Sequence, residues 1–208
     1  MFQKMCDVVP EGQDGNARVQ HFTVSEKDHQ LTVMRSMFSR DLPVSPGTYV
    51  RLYVGGCLMM SDTQMEKSTN YEVVRRARGD VFIAGLGIGL ILAPILANPE
   101  VTSVTVVEKY PEVIRLVEPA LRKLPGGEKL KVIEADILEW KPPKGQTWDV
   151  IYFDIWPNIC VDNLDEMATL HRRFGRRKNP GGWMDSWQKR ELQRIRDHER
   201  RQFHPWRW

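Results

Sequence analysis

Val81–Ala97 reads VFIAGLGIGLILAPILA, seventeen residues without a charge in a 208-residue chain of which 27% is charged. A membrane span, a buried core segment and a ligand-holding loop all compete for such a stretch. A span needs about 20 apolar residues. Gly85, Gly87 and Gly89 at alternate positions, with Pro94 behind them, make a poor continuous helix, and no cationic clusters anchor the two flanks. The stretch therefore reads as a strand (VFIA), a turn (GLGIG) and the start of an apolar helix (LILAPILAN), with no membrane contact expected. Glycine in such a turn frees the backbone to take positive φ and lets a ligand approach where a Cβ would stand.

From Asp80 onward strand and helix signals alternate. Strand candidates are 81–85, 101–108, 130–136 and 148–154. Between the second and third, YPEVIRLVEPALRKL places Val113, Ile114, Val117, Ala120, Leu121 and Leu124 at helical spacing, with Pro111 where a first turn tolerates it. A further helix fits VDNLDEMATLHRRF, with Leu164, Met167, Ala168 and His171 on one face. This rhythm predicts an α/β fold, a Rossmann-like doubly wound parallel sheet. Upstream, RVQHFTVSE, QLTVMRSMF and TYVRLYV are rich in β-branched and aromatic residues, separated by the turn signals SEKDH and RDLPVSPG. They predict a small antiparallel β-unit. The expected organisation is a loose leader over 1–17, the β-unit with a linker helix over 18–75, the Rossmann-like domain over 76–187, and a basic, Trp-rich helix or tail over 188–208.

Three strand ends carry groups suited to a nucleoside cofactor. The glycine turn follows the first strand. Glu108 closes the second, nineteen residues after Gly89, where a carboxylate can accept both ribose hydroxyls. Asp136 closes the third, placed to meet an adenine amino group, with Ile137 packing on the ring. These residues resemble the class I S-adenosylmethionine-dependent methyltransferases, including their spermidine-synthase-like branch. The resemblance covers about Asp80 to Trp187. It implies S-adenosylmethionine as cofactor, with Gly85, Gly87 and Gly89 around its methionine part, Glu108 on the ribose, and Asp136 and Ile137 at the adenine. It also implies Asp154, in YFDIWP, beside the transferring group as the candidate catalytic residue. KNPGGW at 178–183 is similar to the turn that precedes the family's fifth strand.

Tyr152 and Trp156 flank Asp154 and could wall an acceptor pocket. The linker MSDTQMEKSTNYE resembles the acidic, tyrosine-containing link of spermidine synthases, which adds Asp62, Glu66 and Tyr71 as pocket candidates. Position 157, where that branch carries a second aspartate, is Pro, and the amino-methylating Asn-Pro-Pro-Tyr signature is absent. The leading expectation is a methyltransferase of unassigned acceptor. The alternatives are aminopropyl or other transfer from the cofactor or its decarboxylated form, and a non-catalytic nucleotide-binding or assembly protein.

Charge and cysteine usage complete the reading. His171–Trp208 holds twelve Lys/Arg against four Asp/Glu and four of the seven tryptophans, while residues 1–170 hold eighteen basic and twenty-three acidic residues. A basic, aromatic segment suits contact with nucleic acid or a protein partner, or a solvated helix with packing tryptophans. Three scattered cysteines give neither a disulfide framework nor metal spacing, and the five histidines show no ligand pattern, so no metal site is expected. With no apolar run behind a basic start at the N-terminus, a cytoplasmic setting is expected. Only five strands are legible where the family has seven. The truncated sheet would then need its edge covered by the β-unit or by another subunit, as in a homo-oligomer.

Overall fold

The computed structural model describes residues 2–38 and 42–203. Strands β1 (Gly12–Asp14), β2 (Ala17–Val24), β3 (Gly47–Val54) and β4 (Cys57–Ser61) form an antiparallel sheet in that order, with helix α1 (Glu26–Ser36) between β2 and β3. Two short helices, α2 (Gln64–Thr69) and α3 (Tyr71–Arg76), lead into the second unit. There β5 (Gly79–Ala84), α4 (Leu92–Leu96), β6 (Val101–Glu108), α5 (Pro111–Leu121), β7 (Leu130–Glu134), β8 (Trp148–Phe153), α6 (Asn163–Phe174), β9 (Lys178–Ser186) and α7 (Lys189–Phe203) follow in turn. The second sheet has the order β7-β6-β5-β8-β9 with every pair parallel. The Rossmann-like sheet and the antiparallel β-unit are those expected. Among the described residues no helix is long and apolar enough to cross a membrane.

The uncharged stretch is apolar because β5 is central and covered on both faces. Val81 and Ile83 join one core with Val104, Val106 and Val117 and with Val50 and Leu52 of the β-unit. Phe82 and Ala84 join the other, with Trp148, Ile151, Phe153 and Phe174. Successive strand residues point to opposite faces, so a two-sided core demands an unbroken apolar run.

Five expectations are corrected. QLTVMRSMF is a helix, α1, and not a strand. SEKDH is its N-cap and not a turn: Ser25 Oγ accepts the Asp28 amide while the Asp28 carboxylate accepts the Ser25 amide. Residues 1–17 are no loose leader. Met5 and Val9 are fully buried in the core, β1 pairs with β2, and the Met5 amide donates to Asp62. On α6 the buried face is Leu164, Met167, Leu170 and Phe174, whereas Ala168 is exposed. Finally, the β-unit does not cover the free edge of the parallel sheet. It packs against α5 at the opposite side, and β9 has β8 as its one strand neighbour among the described residues.

Candidate functional site

Parallel pairing sets the strand ends level. Ala84 lies opposite both Val107 and Phe153, and Glu108 lies opposite Glu134. The ladder runs one residue further on each side: Gly85 N–H donates to the Val107 carbonyl, Asp154 N–H to Ala84, and Ala135 N–H to Glu108. Gly85, Glu108, Asp136 and Asp154 are thereby brought to one rim, and they line a single cleft of about 400 Å³. The β3–β4 hairpin arches over it, contributing Leu52, Val54, Met59 and Met60. The volume lies within the ordinary range for small-molecule sites.

The glycines divide by task. At Gly85 (φ +98°) an added Cβ would collide with the Asp154 carbonyl, so this glycine serves the close approach of two strands' backbones. At Gly89 (φ +77°) it would strike Leu121 of α5, so this residue serves helix packing; Gly89 does not line the cleft. At Gly87 (φ +52°) the Cβ position is taken by the Met60 thioether, which also accepts the Ile88 amide at 3.3 Å. Gly87 alone of the three opens a cradle toward the cleft that a side chain would fill.

Glu108 is buried, and its carboxylate accepts the Leu86 amide at 2.8 Å and the Tyr110 amide at 2.9 Å. Burial raises its pKa, and these backbone donors pull against that rise. The amides of Lys109 and Gly87 face the same carboxylate, so a ligand hydroxyl would share its oxygens with the backbone. Asp136 accepts the Leu138 amide and pairs with Lys109 Nζ at 2.9 Å. Desolvation pushes its pKa up, but Lys109 and the Leu138 amide outweigh it and hold the carboxyl below its usual value. Ile137, buried, forms the adjacent wall.

At the cleft's other end stand Asp154 and Glu66. Burial, and then the charge of Glu66, push Asp154 up to about 8. Burial likewise pushes Glu66 up to about 7, against the Ser61 amide that its carboxylate accepts. Trp156 is buried against them and donates its indole N–H to Glu166 at 2.7 Å. Two carboxyls whose environments resist ionisation at neutral pH are groups able to take up and give back a proton.

Three pocket candidates fall outside the cleft. Tyr71 is exposed, because α3 turns it to solvent. Asp62 is buried but structural: it accepts the amides of Met5 and Val50 and lies 3.8 Å from Lys67, tying the N-terminal turn to β3. Tyr152 does not line the cleft; it donates to Asn70 Oδ1 at 2.9 Å and stacks on Trp183. The sequence reading had missed Met60, Lys109 and Glu166. Lys109 directly follows Glu108, a signal present in the sequence; Met60 and Glu166 reach the cleft only through tertiary packing. In the basic segment Trp187 is buried and donates to Thr69, and Trp183 is half-buried and stacks one face on Tyr152. Trp206 and Trp208 lie outside the described residues.

No protein-family profile matches the chain. Polyamine aminopropyltransferase 1 of Streptomyces coelicolor is 33% identical over 115 aligned residues, covering 50% of this chain and 22% of that protein. The chain thus spans under a quarter of this curated relative's length. The solved spermidine synthase from Thermotoga maritima superposes with a TM-score of 0.50 at 16% identity, covering 85% of this chain and 55% of that one. The CcbJ methyltransferase from Streptomyces caelestis gives 0.46 at 18% identity, covering 58% and 48%. The 85% span is wider than the parallel-sheet unit and takes in much of the β-unit. Sheet order, level strand ends and this superposition together identify the fold as that of the class I S-adenosylmethionine-dependent transferases, in the two-unit form found in spermidine synthase.

Proposed function

We propose that the chain is a class I transferase that binds S-adenosylmethionine in the 400 Å³ cleft and moves its methyl group to an amine. The observation that carries the reading is the pairing of two features at opposite ends of one cleft. At one end are Glu108, Asp136 and Ile137, suited to ribose and adenine. At the other is the Asp154–Glu66 pair, held near neutrality in its titration. The volume of the cleft and the acids at its strand ends suit the cofactor, whose amino-acid tail would enter the cradle once Met60 moves aside. When bound, the cofactor supplies a sulfonium carbon open to in-line displacement. The chain's part is to orient the acceptor and take its proton. An ammonium acceptor is drawn to the two carboxyls, and one of them, ionised, withdraws the proton that blocks the nitrogen lone pair. Trp156 and Ile155 line this end and limit water.

A second reading is transfer of an aminopropyl group from decarboxylated S-adenosylmethionine. It is favoured by the similarity to the aminopropyltransferase and the spermidine synthase, and by the acidic lining of the cleft. Incubation with each cofactor and a set of amines, followed by mass spectrometry of the nucleoside product, separates the readings. S-adenosylhomocysteine with a methylated amine supports the first, and methylthioadenosine with an extended amine supports the second. Binding without either product would overturn both in favour of a non-catalytic nucleotide-binding protein.

A further inference from the structure

We propose that Met60 is a selectivity residue that sorts nucleoside ligands by what their chain carries beyond the sulfur. The proposal rests on the cofactor reading above and deepens it. The amides of the glycine turn are already engaged: Leu86 N–H by Glu108 at 2.8 Å, Ile88 N–H by the Met60 sulfur at 3.3 Å, and Gly89 N–H by the Leu86 carbonyl at 3.0 Å. Met60 comes from β4 of the other unit, and its sulfur occupies the space above Gly87 that a Cβ would fill. A ligand tail entering that cradle must first displace this side chain.

The acids lining the cleft are engaged or held near neutrality, so the obstruction is steric. The cleft is lined by five carboxyl side chains, Glu66, Glu108, Asp136, Asp154 and Glu166, and by one cation, Lys109, which is engaged with Asp136. Glu66 accepts the amide of Ser61, the residue after Met60, and so stands beside the cradle. A thioether is a weak acceptor, so the contact with Ile88 is easily exchanged for a better one. A carboxylate would make a stronger bond there, but it has to displace Met60 first. A nucleoside without an amino-acid tail leaves Met60 in place and meets no such cost. The tail of S-adenosylmethionine or S-adenosylhomocysteine is therefore held weakly while Met60 covers Gly87.

Calorimetric titration of wild type, Met60→Ala and Met60→Leu with S-adenosylhomocysteine and with methylthioadenosine tests this. Wild type binds methylthioadenosine the more tightly. Met60→Ala raises affinity for S-adenosylhomocysteine about tenfold, the scale of one hydrogen bond to a charged group, and leaves methylthioadenosine within about twofold. Met60→Leu, which keeps the bulk, retains the wild-type order. An unchanged ratio in Met60→Ala, or a ratio in Met60→Leu altered as much as in Met60→Ala, overturns the proposal. If neither nucleoside binds any of the three folded proteins, the cofactor reading itself fails and the proposal falls with it.

Discussion

Gly85 and Gly87 stand two positions apart in the same turn, and the structure predicts opposite consequences for the same substitution. At Gly85 an alanine methyl meets the carbonyl of Asp154, a backbone atom fixed by the β5–β8 ladder, at a φ of +98° that L residues rarely adopt. Gly85→Ala is expected to cost about 1–3 kcal/mol of folding stability. At Gly87 the methyl meets the far end of the Met60 side chain, which can rotate away. Gly87→Ala, also at a positive φ of +52°, is expected to cost about 1–2 kcal/mol from the backbone alone, while closing the cradle to any ligand tail. Urea denaturation of both variants, with S-adenosylhomocysteine titrations of the folded proteins, checks the contrast. Equal stability losses would show that the Asp154 carbonyl is not the fixed neighbour the geometry makes it.

At the scale of elements, α6 supports the cleft without entering the chemistry. Arg173 donates to the carbonyls of Ile137 and Trp140 through Nη1 and of Leu138 through Nη2, at 2.6–3.1 Å. One guanidinium thus fixes the turn after β7 that carries Asp136 and Ile137. Removing it frees three carbonyls and loosens the adenine-side wall. Arg173→Ala is expected to weaken nucleoside binding by about 1–2 kcal/mol, and Arg173→Lys, with a single point of donation, to restore part of this. Hydrogen exchange of the 135–141 amides reads the loosening directly; unaltered exchange together with unaltered affinity would remove Arg173 from this role. The example marks where sequence reading stops. The parallel strands are legible because β5, β6 and β8 each carry a mostly apolar run buried on both faces, and Glu108 is legible because it ends such a run. Arg173 is not, since its partners lie more than thirty residues away and are backbone carbonyls, which carry no side-chain signature. Helix α1 was misread because its β-branched and aromatic content suggests a strand, while the Ser25–Asp28 capping pair decides the local conformation. The likeness of the linker to that of spermidine synthases points Asp62 and Tyr71 to the cleft, but Asp62 is taken up by the amides of Met5 and Val50 and Tyr71 is exposed on α3, contacts that composition does not reveal.

At the scale of the whole molecule, buried titratable groups set a pH dependence whose sign can be worked out group by group. His171 bridges α6 to β9 and α7: Lys189 Nζ donates to its Nδ1 at 3.1 Å, so its Nε2–H donates to Ser186 Oγ at 2.9 Å. Burial, and then the charge of Lys189, lower its pKa to about 4 from a usual value of 6.5. It stays neutral in the folded chain, so its contribution is fully present above about pH 6.5 and is lost as pH falls toward 4. Glu66 and Asp154 act in the other sense. Their folded values, about 7 and about 8, lie above the ordinary 4.5 and 3.8, so the folded state holds protons that the unfolded chain has released. Their contribution is complete below about pH 4 and declines as pH rises toward 7 and 8. Between pH 6.5 and 8 His171 no longer changes the balance, and the acid pair, with Glu108 raised in the same direction by burial, sets the slope. Stability of the ligand-free protein is therefore expected to fall across that window, by at most about 1.4 kcal/mol per pH unit for each group. The slope is smaller than that ceiling because Asp154 borders the open cleft. Asp154→Asn keeps the shape and removes the charge, so it should flatten the slope, gain about 1–2 kcal/mol over wild type at pH 8.5, and abolish transfer. Glu66→Gln should flatten it in part. Urea denaturation at half-unit steps from pH 6.5 to 8.5 measures all three proteins. A wild-type stability that is flat or rising over this range, or an Asp154→Asn slope equal to wild type, would mean that the acid pair ionises freely, and the proton-accepting role assigned to it would lose its physical basis.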